Sequence, residues 1–357
     1  MALIDPRKVG ALRGDTRATI LRHRPMAPED VETCVALIAS HTVYGPRYGE
    51  HLAEMGPALL RVLESDAKSA VVWEQLTGTQ TDVWGFGVTV FVGDGFIRDL
   101  KTPPHFWIGP ELAARIVRGE SPLLTYEELR EANSRDGLNL VVWEGYFRPQ
   151  DLHDPERVNL GMSAFVEDHR GYRWKEIIGS QIDSAERLQL SLNSGAMLWN
   201  PVSGRWEAPS SEAPAQILHK PFVIGLSRDR PQRQAGAWAD SLFDYRPPRI
   251  GFAPSEQRLL TCALKGGTDV ALSCELHVSL STVKKTWQGI YNRVASTVPS
   301  LFPAVPKTAS RDGDRGREKK QHLLAYLREH PEELRPIVRR LIQNTGENRR
   351  NEPRRIR

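Results

Sequence analysis

Along the first two hundred residues, apolar positions switch between strand-like and helix-like spacing. Residues 19–24 are a short strand candidate. Glu29 and Asp30 then open a helix with Val31, Val35, Leu37 and Ile38 as its apolar positions, and a second helix is predicted over 48–63. Two β-branched and aromatic runs, 69–73 and 84–92, flank Thr77-Gly78-Thr79, a spacing that predicts a hairpin. Helices are expected at 109–118 and 126–134, and strands at 138–146 and 160–166. A further helix is expected from about 174 to 190, a Leu-Ser-Leu segment near 190 and Met197-Leu198-Trp199 are expected to close the unit, and 221–226 is a further strand candidate. No internal repeat is visible.

The pattern changes after residue 250. Pro254 suits the first turn of a helix, and Glu256 and Gln257 favour its positive end. Leu259, Leu260, Ala263 and Leu264 follow at helical spacing until Gly266-Gly267 stops the run. Thr268 can cap a second helix carrying Val270, Ala271, Leu272 and Leu276, and His277-Val278 makes a turn. Ser279 can cap a third helix by accepting the amide of Thr282. On that third helix Val283, Ile290 and Val294, with Trp287 beside them, fall on one face. Lys284, Lys285 and Gln288 fall on the other. Residues 297–317 read as irregular, and amphipathic helices are expected at 318–329 and 332–343. A helix whose first turns carry short polar and basic side chains is what helix-turn-helix proteins place in the DNA major groove. The bland alternative is a small bundle with a solvated basic face.

The stretches FAPSEQRLLTCALKGG and VALSCELHVSLSTVKKTWQGIYNRV resemble the C-terminal DNA-binding domain of LuxR-type transcriptional regulators, over roughly an eighth of the protein. The resemblance implies that Lys284, Lys285 and Gln288 face double-stranded DNA; Ser281 and Thr282 are expected to contact phosphates, and a homodimer is expected because one small reading helix covers few base pairs. Lysine can read guanine or hold a phosphate, and glutamine can pair with adenine. The chain departs from the family at Ala271, where glutamate is common, and at His277, where glycine is common. Histidine takes positive φ less readily than glycine.

Charge adds an independent sign. The 357 residues carry a net charge of only +4, but from Arg246 onward there are 22 Lys and Arg against 11 Asp and Glu, a net +11. The first 245 residues hold the remaining 26 basic and 33 acidic residues, a net −7. Such asymmetry suggests a nucleic-acid-binding end joined to an acidic partner unit. Three units follow: 1–245 as a sensor or dimerisation domain, 246–298 as the DNA-binding domain, and 299–357 as a linker, helical extension and basic tail. The segment 207–214 reads as a loop, and Pro247-Pro248 marks the boundary. Cys34, Cys262 and Cys274 lack metal-ligand spacing and read as small structural residues in a reduced, cytoplasmic protein. No stretch has the length and apolarity of a membrane span or secretion signal.

In the N-terminal half the order strand, helices, hairpin, strand, helix, strand resembles the acyltransferase fold of the GNAT superfamily. Residues 166–173 are similar to the loop that cradles the acetyl-CoA pyrophosphate there. By that resemblance Arg170, Gly171 and Arg173 would be the cofactor-binding residues, working through backbone amides at a helix N-terminus. Arg173 and Lys175 stand where small residues are usual, and no general acid or base stands out. PAS- and GAF-like sensors would present a similar sheet. Trp84, Phe86, Phe91, Phe106, Trp107 and Trp143 are candidates either for core or for the wall of a small-molecule pocket. The expectation is an α/β (α+β) sensor-like domain with an antiparallel or mixed sheet, followed by an all-α helix-turn-helix unit. No resident cofactor or metal and no catalysis is expected. The alternative is an acetyltransferase with an accessory DNA-binding module.

Overall fold

A computed structural model of the chain describes residues 19–180, 182–208, 219–229, 238–302 and 312–338. Eight strands form one mixed sheet. They are β1 (Thr19–Pro25), β2 (Lys68–Thr77), β3 (Gln80–Val92), β4 (Leu138–Phe147), β5 (Trp174–Gly179), β6 (Met197–Asn200), β7 (Arg205–Glu207) and β8 (Ile224–Ser227). Their order is β1-β2-β3-β4-β5-β8-β6-β7. Every pairing is antiparallel except β4 with β5. A parallel pair needs a crossover, and a helix supplies it.

The helices before the crossover are α1 (Val31–Ser40), α2 (Tyr44–Tyr48), α3 (Leu52–Glu64), α4 (Asp94–Lys101), α5 (Ile108–Arg118) and α6 (Tyr126–Ser134). The crossover is α7 (Pro155–His169), and α8 (Ala185–Asn193) follows β5. Strand periodicity divides the core. Phe86, Val88 and Val90 of β3 pack with Ile38, Met55, Leu59 and Leu112 of α1, α3 and α5. Phe91 points the other way, to Leu140, Trp174, Leu226 and Phe243.

Two sequence expectations fail here for identifiable reasons. The run 160–166 is not a strand but the second half of α7. Asp154 caps that helix by accepting the amides of Glu156 and Arg157 at 3.0 and 3.5 Å, and Pro155 occupies its first turn. Gly161 lets the helix settle on the sheet, since a Cβ there would lie 2.4 Å from Phe147 Cζ. The expected helix over 174–190 is instead β5 and α8. Trp174, Ile177 and Ile178 stand at helical spacing, but both edges of this segment are taken by β4 and β8, and an interior strand is buried on both faces. The helix α4 carried no expectation, and α3 starts at Leu52 rather than at 48.

The C-terminal third is helical: α9 (Pro254–Leu264), α10 (Asp269–Glu275), α11 (Leu280–Thr297) and α12 (Asp312–Glu329). Phe252, Leu260, Leu272, Val283, Ile290 and Leu323 are buried together in an apolar cluster of their own. Residues 332–338 do not form the expected amphipathic helix. They make a 3₁₀ turn, Pro331–Leu334, and then an extended strap, and 339–343 lie outside the described residues. The strap binds both parts of the molecule. Glu333 accepts the amides of Arg249 and Ile250, at 2.7 and 3.0 Å, and Gln257 Nε2 donates to the carbonyls of Glu333 and Arg335. On the other side Arg335 Nε donates to the carbonyl of Arg170 at 2.7 Å, Asn133 Nδ2 to that of Pro336, and Val338 N to Ser134 Oγ. Most of the expected loop at 207–214 and the tail beyond 338 lie outside the described residues.

Candidate functional site

The exposed side of α11 is built by two local devices. Ser279 caps the helix: its Oγ accepts the amide of Thr282 at 3.1 Å and lies 2.8 Å from both Ser281 Oγ and Thr282 Oγ1. The turn before it is closed by His277, which adopts φ +52° where a glycine would be at ease. Thr268 caps α10 in the same manner, accepting the amide of Ala271.

Burial then separates the two faces of α11. Val283, Trp287, Ile290 and Val294 are buried. Ser281, Thr282, Lys284, Lys285, Gln288 and Asn292 are exposed. Ser281, Lys285, Gln288 and Asn292 recur at helical spacing and form one stripe, with Lys284 beside it. Gln288 Nε2 donates to Asn292 Oδ1 at 2.9 Å, so the two amides lie side by side. Neither lysine pairs with a carboxylate among the described residues. The five residues singled out from sequence therefore share one exposed helix surface. Asn292 belongs to it too, and its i+4 distance from Gln288 was the signal for it.

The helix is firmly held from behind. Arg293 donates to Glu256 of α9, and Lys320 of α12 pairs with Asp269 at 3.1 Å while its ammonium lies 4.8 Å from the Trp287 ring centroid. Leu323 and Leu327 place α12 on this cluster. Of the three cysteines, Cys34 is buried in the α/β core and Cys262 half-buried, with burial pushing their thiols up to about 12 and about 11. Cys274 is exposed rather than packed.

The region likened to a pyrophosphate cradle is differently built. Arg170 follows the C-terminal end of α7, and Gly171 and Arg173 lead into β5, not into a helix N-terminus. Gly171 has φ +83° and packs against the strap: a Cβ there would lie 2.4 Å from Glu332 N. Arg173 N donates to Asn133 Oδ1, and the Arg170 carbonyl is taken by Arg335. The helix end that does follow β4, that of α7, is filled by its own Asp154 carboxylate. A negative side chain already seated on those amides opposes a phosphate. These residues do not fit an acetyl-CoA pyrophosphate.

Trp84, Phe86, Phe91 and Trp143 are core side chains, while Phe106 and Trp107 are half-buried. A cavity of about 250 Å³ exists elsewhere, between the sheet and helices α7 and α8, walled by Trp73, Phe147 and Phe165 and including Glu144 and Arg187. Glu144 is wholly buried, which pushes its carboxyl up to about 8, and its Oε1 accepts the Tyr48 hydroxyl at 2.5 Å. On the same wall, His169 is pushed down to about 4 by burial and lies 2.8 Å from Thr89 Oγ1. Sequence reading missed Glu144 and Arg187, because isolated charges in a strand and a short helix carry no motif.

No protein-family model, curated protein or solved structure matches the chain. Among the described residues no helix is long and apolar enough to cross a membrane, and no cluster of three His, Cys, Asp or Glu is placed to hold a metal ion.

Proposed function

We propose that the protein is a DNA-binding transcriptional regulator whose α9–α11 helices act as a LuxR-type helix-turn-helix and whose α/β part receives the regulating signal. The observation that carries this reading is the exposed Lys284–Lys285 pair, without a carboxylate partner among the described residues, set beside Gln288 on a capped helix whose opposite face is buried. The lysines supply charge for guanine edges or phosphates, and the Gln288 and Asn292 amides exchange their mutual bond for base edges. Ser281 and Thr282, at the helix start, contact phosphates. A single short reading helix covers few base pairs, so a homodimer on a two-fold symmetric operator is expected.

The self-capped α7 opposes cofactor use, so catalysis is not part of the proposal. Selection of bound sequences from a random DNA pool, with the Lys284→Ala, Lys285→Ala double variant as control, tests the reading.

A further inference from the structure

The cavity beside α8 is walled mainly by apolar groups, among them Val71, Val142, Met162, Phe165, Ile177 and Leu190. Leu190 is 47% exposed, so the cavity meets the surface there. Its volume of about 250 Å³ exceeds the roughly 150 Å³ that holds benzene in an apolar protein cavity.

Two of its lining residues carry hydrogen-bond donors without acceptors. Arg187 is anchored by Nη2, which donates to the carbonyl of Gly145, and by Nε, 3.5 Å from Asp183 Oδ1. Its Nη1 is buried and has no acceptor among the described residues, and neither has the indole Nε1 of Trp73. Buried donors are nearly always satisfied, so orphaned ones on residues that line a cavity ask for acceptors. Near Arg187 lie Asp183, whose second oxygen is 3.0 Å from His41 Nε2, and, on the cavity wall, Asp168, which accepts the Ser69 hydroxyl at 2.6 Å. Burial pushes the Glu144 carboxyl up to about 8.

We propose that this cavity binds a small monocarboxylic acid, with an aromatic or medium-chain body against the apolar walls and its carboxylate on Arg187 Nη1. A guanidinium with an open donor is the natural partner of a carboxylate, and an apolar cavity with few polar groups orients such a ligand by its head. The inference stands apart from the DNA-binding reading and is measured without DNA.

The test titrates the full chain with octanoate and phenylacetate, and with octanol and 2-phenylethanol as neutral counterparts. Binding is followed by calorimetry and by the Trp73 indole N–H resonance, assigned with Trp73→Phe. Saturable binding of at least one acid is expected. Its affinity should be about tenfold or more above the matching alcohol, and Arg187→Met should lose a similar factor. Should that variant fail to fold, the acid-over-alcohol ratio and the Trp73 shift of the wild-type protein decide alone. No saturable binding of either acid, equal affinity for acids and alcohols, or a folded Arg187→Met protein that keeps full affinity would overturn the proposal.

Discussion

The Arg293 guanidinium donates to both carboxylate oxygens of Glu256, at 2.9 and 3.2 Å, and so fastens α11 to α9. The same carboxylate accepts the amide of Ala253 at 2.6 Å, closing the first turn of α9. One buried side chain thus caps one helix and fixes the angle of the next. Glu256→Ala leaves a half-buried guanidinium unpaired and an amide uncapped. It is expected to destabilise the helical part by about 2 kcal/mol. Urea unfolding with helical circular dichroism checks this; an unchanged midpoint would show that the contact contributes nothing.

The seat of the strap is equally specific. Gly171 has φ +83°, and a Cβ there would lie 2.4 and 2.6 Å from Glu332 N and Pro331 C, both backbone atoms with little room to move. Gly171→Ala combines the left-handed cost of about 1–2 kcal/mol with displacement of the strap. Loss of hydrogen-exchange protection at Val338, whose amide donates to Ser134 Oγ, is the expected result. Protection equal to wild type would mean that the strap seats independently of this glycine.

Glu144 sets a pH dependence whose sign follows from burial. Its carboxyl rises from the ordinary 4.5 to about 8 in the folded protein. Between those values the native state keeps a proton that the unfolded chain has released, so stability falls as pH rises through the window. His169 works in the opposite sense: pushed down from 6.5 to about 4, it costs stability as pH falls through that range. Above pH 6.5 His169 no longer contributes, and comparison with Glu144→Gln isolates Glu144. There the thermal midpoint of the wild-type protein should decline toward pH 8, whereas that of Glu144→Gln should stay nearly level. Parallel declines would reject the assignment.

Local signals made α9, α10 and α11 legible. Capping residues Thr268 and Ser279, the Gly266-Gly267 stop and the spacing of Val283, Ile290 and Val294 each act within a turn or two of chain. The hairpin at Gly78 and the helix at 126–134, with its Thr125–Glu128 capping box, were legible for the same reason. What was misread depends on distant partners. Whether Trp174, Ile177 and Ile178 form helix or strand is decided by β4 and β8, far away in sequence. The apolar run at 160–166 follows Asp154 and Pro155 into a helix, and the strap follows Gly171 and Gln257 rather than its own periodicity. The Arg187 cavity left no trace in the sequence, because its polar atoms come from β2, β4 and α8, which are separate in the chain.

The most direct test of the proposed function measures anisotropy of the full chain on a random-site DNA pool over a salt series, and sequences the bound fraction for the wild-type protein and for Lys284→Ala, Lys285→Ala. Enrichment of a short two-fold symmetric site by the wild-type protein is expected. The double variant should fold normally, lose that enrichment and show a salt slope smaller by about one per phosphate contact removed. Salt-sensitive binding with no enriched sequence, or full enrichment by a well-folded double variant, would contradict the assignment of α11 as the reading helix.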